Sequence, residues 1–212
     1  MREDLWIGCV TVGELQTNCY ILKNGEAGGE AVIVDPGGSP DKILKAIEKC
    51  RAVPEAILLT HGHHDHILAV NDIREAFPSV KVYICAKEEP MLKDPDLNCG
   101  FLENDRVTEA DVLVSDGEEL PLLERFFRVM ETPGHTAGSV CYYSREDSLL
   151  ISGDTIFRAG CGRCDLPTGD GKAMQETLYS LLTGLPDDTL ILPGHGGSTT
   201  VSYERMIEGF DD

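Results

Sequence analysis

The stretch Ala56-Ile57-Leu58-Leu59-Thr60-His61-Gly62-His63-His64-Asp65-His66 carries four of the six histidines in a chain of 212 residues. It opens as an apolar run of strand length, and its polar residues follow that run directly. In extended backbone, residues i and i+2 project to the same side, so His61 and His63 reach one point together. Asp65 and His66 stand where the chain turns into a helix predicted to begin near Ile67. That change of direction aims them at a second point nearby, and the spacing suits two metal ions better than one. His64, between the ligand-like positions, is expected to be exposed or supporting.

Three other junctions repeat the pattern. Thr132-Pro133-Gly134-His135 follows Phe126–Met130, Ser152-Gly153-Asp154 follows Leu149-Leu150-Ile151, and Pro193-Gly194-His195 follows Leu190-Ile191-Leu192. Ligands of open α/β sheets collect at the carboxyl ends of strands, so the four junctions are expected to converge on one cleft. The flanking glycines let backbone approach closely. Taken singly, each residue has an ordinary reading: a hydrogen-bonded histidine, or for Asp154 a helix N-cap. Five of six histidines at ligand-like spacing beside strand ends make the set a site.

The rest of the chain reads as strands over residues 5–12, 17–23 and 31–35, with Asn24-Gly25 as a hairpin turn. Ser39 is expected as the N-cap, with Pro40 as first residue, of a helix carrying Ile43, Leu44 and Ile47 on one face. Then come a strand over 56–60, a helix over 67–77, a strand over 81–85, a short helix over 87–93 and a polar loop over 94–106. Strands over 111–115, 126–131, 139–144 and 148–152 precede a helix over about 172–182, a strand over 189–192 and a short terminal helix. Mixed strands and helices predict an α/β layered sandwich, and the length fits one domain over residues 1–212.

With 42% apolar and 26% charged residues the composition is that of a globular protein. Its 18 Lys+Arg against 37 Asp+Glu give a net charge of -19, which argues against a nucleic-acid partner because phosphate binding rests on basic contacts. No apolar stretch reaches membrane-spanning length and the N-terminus lacks a signal-peptide pattern, so no membrane partner and a cytoplasmic location are expected. The eight cysteines are then mostly reduced, and Cys9, Cys19, Cys85 and Cys141, in apolar runs, are expected to be small buried hydrophobes. Cys161-x-x-Cys164 has no second pair at zinc-ribbon spacing.

The chain is similar to metallo-β-lactamase-fold hydrolases through His-x-His-x-Asp-His (61–66), Gly-His-Thr-x-Gly-Ser (134–139), Gly-Asp-Thr-x-Phe (153–157) and Pro-Gly-His-Gly (193–196). Within them it most resembles the glyoxalase II branch, and the match runs from Thr17-Asn18-Cys19-Tyr20 and Asp35-Pro36-Gly37 to Thr199-Thr200. The resemblance implies a four-layer αββα sandwich and two divalent metal ions. One would be held by His61, His63 and His135, the other by Asp65, His66 and His195, with Asp154 bridging. An imidazole and carboxylate set without thiolate suits zinc, with iron or manganese as alternatives. By the same resemblance a hydroxide held between the metals attacks a thioester or ester carbonyl, and Asp65 can orient it. Asp35 resembles a buried aspartate that supports the metal loop, although an Asp-Pro-Gly turn residue is an equal reading.

The branch proper carries a further helical C-terminal region that helps hold glutathione, whereas this chain resembles shorter, single-domain hydrolases. Of the basic and aromatic pair in the branch's glutathione-contacting loop, Gly160-Cys161-Gly162-Arg163-Cys164-Asp165 keeps only Arg163, and Gly196-Gly197-Ser198 stands where a tyrosine is expected. Arg163 is expected to bind a substrate carboxylate, with a structural surface arginine as the plainer reading. The expected substrate is thus a small-molecule thioester or ester. The alternatives are a persulfide dioxygenase using one iron on His61, His135 and Asp154, which the 160–165 segment also resembles, and a lactonase. For β-lactamases, Asp154 stands where many such enzymes differ.

Overall fold

A computed structural model describes residues 4–100 and 108–210. Two six-stranded sheets face each other. The first contains β1 (Leu5–Val12), β2 (Thr17–Asn24), β3 (Gly29–Val34), β4 (Ala52–Leu58), β5 (Lys81–Cys85) and β6 (Val112–Val114), in sequential order. β1, β2 and β3 are antiparallel, and β3 to β6 run parallel. Between β3 and β4 lies α1 (Pro40–Lys49), and between β4 and β5 lie α2 (His64–Ile67) and α3 (Val70–Ala76).

The second sheet is built from β7 (Glu119–Leu122), β8 (Arg125–Glu131), β9 (Val140–Ser144), β10 (Leu149–Gly153), β13 (Leu190–Pro193) and β14 (Thr199–Thr200), in the order β14-β13-β10-β9-β8-β7. A small hairpin of β11 (Ile156–Phe157) and β12 (Gly160–Cys161) lies between β10 and α4 (Gly171–Gly184), and α5 (Val201–Glu208) follows β14.

Strand alternation sorts the apolar side chains into layers. Tyr20, Leu22, Val32, Val34 and Leu58 of the first sheet meet Phe127, Val129, Tyr142, Leu149 and Ile151 of the second. Their sequence neighbours Ile21, Ile33 and Ile57 point the other way and pack under Ile43 and Ile47 of α1 and Val70 and Ile73 of α3. On the far side, Cys141, Tyr143, Leu150 and Ile191 pack under Met174, Leu178 and Leu182 of α4. The result is the four-layer αββα sandwich. Among the described residues no helix is long and apolar enough to cross a membrane.

Several elements depart from the sequence expectations. β4 starts at Ala52 rather than residue 56, because the register shift between Ala31 and Val32 admits Pro54, which has no N–H to pair. It ends at Leu58, since the Thr60 N–H is taken by Asp35. The helix expected over 67–77 is broken after Ile67, where the Ala69 N–H donates to the Pro36 carbonyl. Residues 87–93 hold only a 3₁₀ turn, Glu89–Leu92. Ser39 precedes α1 with φ 50 and does not cap it; its Oγ accepts from the Gly13 N–H. Asn24-Gly25 is part of a longer link to β3, tied by Lys23 Nζ to the Gly25 and Ala27 carbonyls. Part of the loop expected over 94–106 lies outside the described residues. Cys19, Cys85 and Cys141 are buried, but Cys9, on the outermost strand, is exposed.

Candidate metal centre

Each strand-end residue singled out in the sequence arrives at one place. His61, His63, Asp65 and His66 follow β4, His135 follows β8, Asp154 follows β10 and His195 follows β13. His61, His63 and His135 form one triad of donor atoms within 4.8 Å of one another; Asp65, His66 and His195 form another, and His61, His66 and Asp154 a third. Asp154 lies between the first two. Its Oδ1 is 3.3 Å from His66 Nε2, and its Oδ2 is 3.5 Å from both His135 Nε2 and His195 Nε2. Asp154 caps no helix in this arrangement, because the chain continues from it into the β11–β12 hairpin.

Four of the five imidazoles are held by the nitrogen that faces away from the centre. His61 Nδ1 lies 3.1 Å from Thr60 Oγ1, His66 Nδ1 3.0 Å from Asp35 Oδ2, His135 Nδ1 2.7 Å from the Arg163 carbonyl, and His195 Nδ1 3.1 Å from the Leu15 carbonyl. An acceptor at Nδ1 places the proton there and leaves Nε2 a free lone pair, as a metal ligand requires. His63 is the exception, since its Nδ1 faces the cluster, 2.9 Å from His135 Nε2. On the carboxylate side, Thr17 Oγ1 donates to Asp65 Oδ2 at 2.8 Å.

The interior of this cluster fits a cation. His61 Nε2 and His63 Nε2 are buried polar atoms with no hydrogen-bond partner, beside His66 Nε2 and Asp154 Oδ1, which face each other at 3.3 Å where the triads converge. Buried polar groups are almost always paired, so orphaned atoms here call for an ion that supplies the missing contacts. The protonation pattern agrees. Burial pushes His61 well below its ordinary value and His63 down to about 3, and lowers His135. These three are neutral donors. Burial alone would lower His66 too, but Asp65, Asp154 and Asp35 outweigh it and raise it well above the usual range. His195 is likewise lifted to about 9, its bonds to Asp154 and Asp65 outweighing burial. Asp65 and Asp154 are held low, mainly by His66, against the opposing effect of burial. Two carboxylates thus hold charge for which protons on His66 and His195 substitute in the metal-free protein.

Gly194 must be a glycine for this packing, since a Cβ there would stand 2.2 Å from Asp154 Oδ1 and 2.8 Å from His66 Cε1. Asp35, with two equal readings in the sequence, is decided by the structure: it is buried and accepts from the Thr60 N–H, the Thr60 hydroxyl and His66. His64 is half-buried, with Nδ1 3.2 Å from the Asn98 carbonyl and no place in any triad. Arg163 is exposed and paired through both Nε and an Nη with Asp165, at 2.7 Å each. Cys161 and Cys164 are free thiols.

Sequence reasoning missed Thr17, Thr60, Glu88 and the Leu15 and Arg163 carbonyls. Backbone acceptors leave no residue-type signal, and a Thr or Glu is not a residue type that marks a supporting role, even where, as with Thr17 and Thr60, it lies inside a matching segment. Beside His195 a cavity of about 480 Å³ is lined by Glu14, Leu15, Gln16 and Asn18.

Comparison with known proteins places this geometry. The metallo-beta-lactamase superfamily matches residues 12–195. The chain is 39% identical over 206 residues to the probable metallo-hydrolase YqgX of Bacillus subtilis, covering 94% of this chain and 96% of that one. It is 38% identical over 186 residues to a hydroxyacylglutathione hydrolase of Klebsiella pneumoniae, covering 88% of this chain and 64% of that one. Among solved structures, BLEG-1 B3 metallo-beta-lactamase superposes with a TM-score of 0.88 at 37% identity, covering 95% and 97% of the two chains. TTHA1623 in a di-iron-bound form gives 0.82 at 36%, covering 96% and 100%. With its two facing sheets, its converging His and Asp triads and a match that spans most of its length, the chain belongs to the metallo-beta-lactamase superfamily.

Proposed function

We propose that this protein hydrolyses small-molecule thioesters in the manner of hydroxyacylglutathione hydrolases, with two divalent metal ions in the centre. The observation that carries the proposal is Asp154, whose carboxylate lies within 3.5 Å of His135 of one triad and of His66 and His195 of the other, beside His61 and His63 Nε2 atoms that have no partner. His61, His63 and His135 would hold one ion and Asp65, His66 and His195 the other, with Asp154 shared. Zinc suits these ligands, with iron or manganese as alternatives, and such ions supply Lewis acidity toward a carbonyl oxygen and a water acidic enough to act near neutral pH.

The chain's own residues provide orientation. Thr17 ties Asp65 through Oδ2, which leaves Oδ1 to accept a proton from, and so aim, the attacking water. The acyl or thiol portion of the substrate lies in the cavity beside His195, between the 13–16 turn and Asn18. Arg163 belongs to the same proposal: its guanidinium would exchange the Asp165 carboxylate for one on the substrate. The thioester reading draws on the hydroxyacylglutathione hydrolase relative and on the family motifs, and the thiol carrier is left open by Gly196-Gly197-Ser198.

The test combines metal analysis of freshly purified protein with a screen of thioesters, lactones, β-lactams and persulfides. Two metals per chain and thioester hydrolysis that disappears in both His63→Ala and Asp154→Ala are expected. Oxygen consumption with a persulfide and one iron, turnover of only lactones or β-lactams, or activity retained in both variants would overturn the assignment.

A further inference from the structure

Glu88 is a buried carboxylate, 1% exposed, outside every donor triad. It stands at the N-cap position of the Glu89–Leu92 turn, yet its side chain does not cap that turn. Its Oε2 instead accepts from the Gly62 N–H at 2.9 Å, and its Oε1 from the Gly138 N–H at 2.8 Å. Gly62 lies between His61 and His63. Gly138 lies in the turn that carries His135. One carboxylate therefore ties together the two loops that supply His61, His63 and His135.

The two glycines allow this approach. A Cβ on Gly62 would stand 2.6 Å from Met91 Cβ, and one on Gly138 would stand 2.6 Å from Lys87 Cβ and 2.9 Å from Glu88 Oε1. Asp65, His66 and His195 have other supports, namely Thr17, Asp35 and the Leu15 carbonyl.

We infer that Glu88 is a positioning residue that holds the His61–His63 and His135 loops at metal-binding distance and thereby sets the affinity of that half of the centre alone. The inference rests on the two-metal reading proposed above. Glu88→Gln keeps the shape but can accept on only one side, so one of the two N–H groups loses its partner and the loops part. Partners that orient metal ligands typically contribute about 10- to 100-fold in affinity.

The experiment is stepwise zinc titration of metal-free protein against a chromophoric chelator, with His195→Ala identifying the step that belongs to the other half. Glu88→Gln is expected to weaken the His61, His63, His135 step at least about tenfold and to leave the other step within about twofold. Ile43→Ala, a buried change on α1 remote from the centre, is expected to lower Tm and move neither step. Should Glu88→Gln not be recovered folded, Glu88→Asp, one methylene short of spanning both glycines, is read the same way. Equal weakening of both steps, or no selective change, overturns the inference. Failure of wild type to bind two zinc ions overturns the two-metal reading instead, so the two failures are distinguishable.

Discussion

Replacing Asp35 by Asn tests whether one carboxylate sets the protonation of ligands in both halves of the centre. Asp35 accepts three hydrogen bonds: 2.8 Å from the Thr60 N–H, 2.7 Å from the Thr60 hydroxyl and 3.0 Å from His66 Nδ1. Because the Thr60 proton is directed at Asp35, Thr60 Oγ1 presents a lone pair to His61 Nδ1, 3.1 Å away. Asp35 thus keeps the proton of both His61 and His66 on Nδ1, one directly and one through Thr60. An Asn that still accepts from the Thr60 N–H turns its NH₂ toward His66 Nδ1 and Thr60 Oγ1. A donor then faces His66 Nδ1–H, and the Thr60 proton is turned toward His61 Nδ1. Both rings are driven to carry hydrogen on Nε2, the atom needed for a metal. The expected cost is about 10- to 100-fold in affinity at each half, or about 1.4–2.8 kcal/mol. Losing hydrogen bonds to a buried charge also costs the metal-free fold about 1.5–3 kcal/mol, a Tm drop of about 3–12 °C for a chain of this size. Chelator competition reads the first quantity and thermal unfolding of metal-free protein the second. Zinc affinity within about twofold of wild type at both steps would refute the relay even if Tm fell, because a merely structural aspartate predicts that combination.

Gly194→Ala should force Asp154 or His66 aside, since the new Cβ stands 2.2 Å from Asp154 Oδ1. Turnover is expected to fall about 100-fold or more, while Gly197→Ala, which meets nothing within 4 Å, should match wild type in the same assay. In metal-free protein, His195 is raised from 6.5 to about 9, so its stabilisation is complete below pH 6.5 and lost as pH rises through about 9. Asp65 and Asp154 are depressed below 3.8, so theirs is present above that pH and lost on acidification. His61, His63 and His135, lowered by burial, add stability that is complete above about pH 6.5 and lost as pH falls below it. Metal-free Tm should therefore peak near about pH 6.5 and fall both toward about pH 4 and by about pH 9.5, with the alkaline fall reduced in His195→Ala; a Tm still rising at about pH 9.5 contradicts the pairing. Arg163→Ala should raise KM for thioesters bearing a carboxylate and leave neutral ones unchanged; an unchanged KM for every active thioester removes Arg163 from the substrate site.

Much of the centre was legible because its residues sit at one kind of place. A polar residue after an apolar strand is a local pattern, and four such junctions carry His61, His63, Asp65, His66, His135, Asp154 and His195. Strand positions were legible too, since β1, β2 and β9 lie within one residue of the bounds expected from their apolar runs. Element ends were not. The break after Ile67 depends on the Pro36 carbonyl, and β4 gains its first residues by pairing with β3 around Pro54.

The sequence by itself picked out the candidate donors and the layered class, because residue type and the period of apolar side chains are properties of the chain alone. Only the tertiary structure decided how the donors are held. The acceptors that orient them come from 25 residues away for Thr60 and Asp35, 28 for His135 and Arg163, 26 for Gly62 and Glu88, and 180 for His195 and Leu15. Two of those acceptors are backbone carbonyls, which every residue carries. A hydrogen bond depends on distance and direction in space, and separation along the chain records neither.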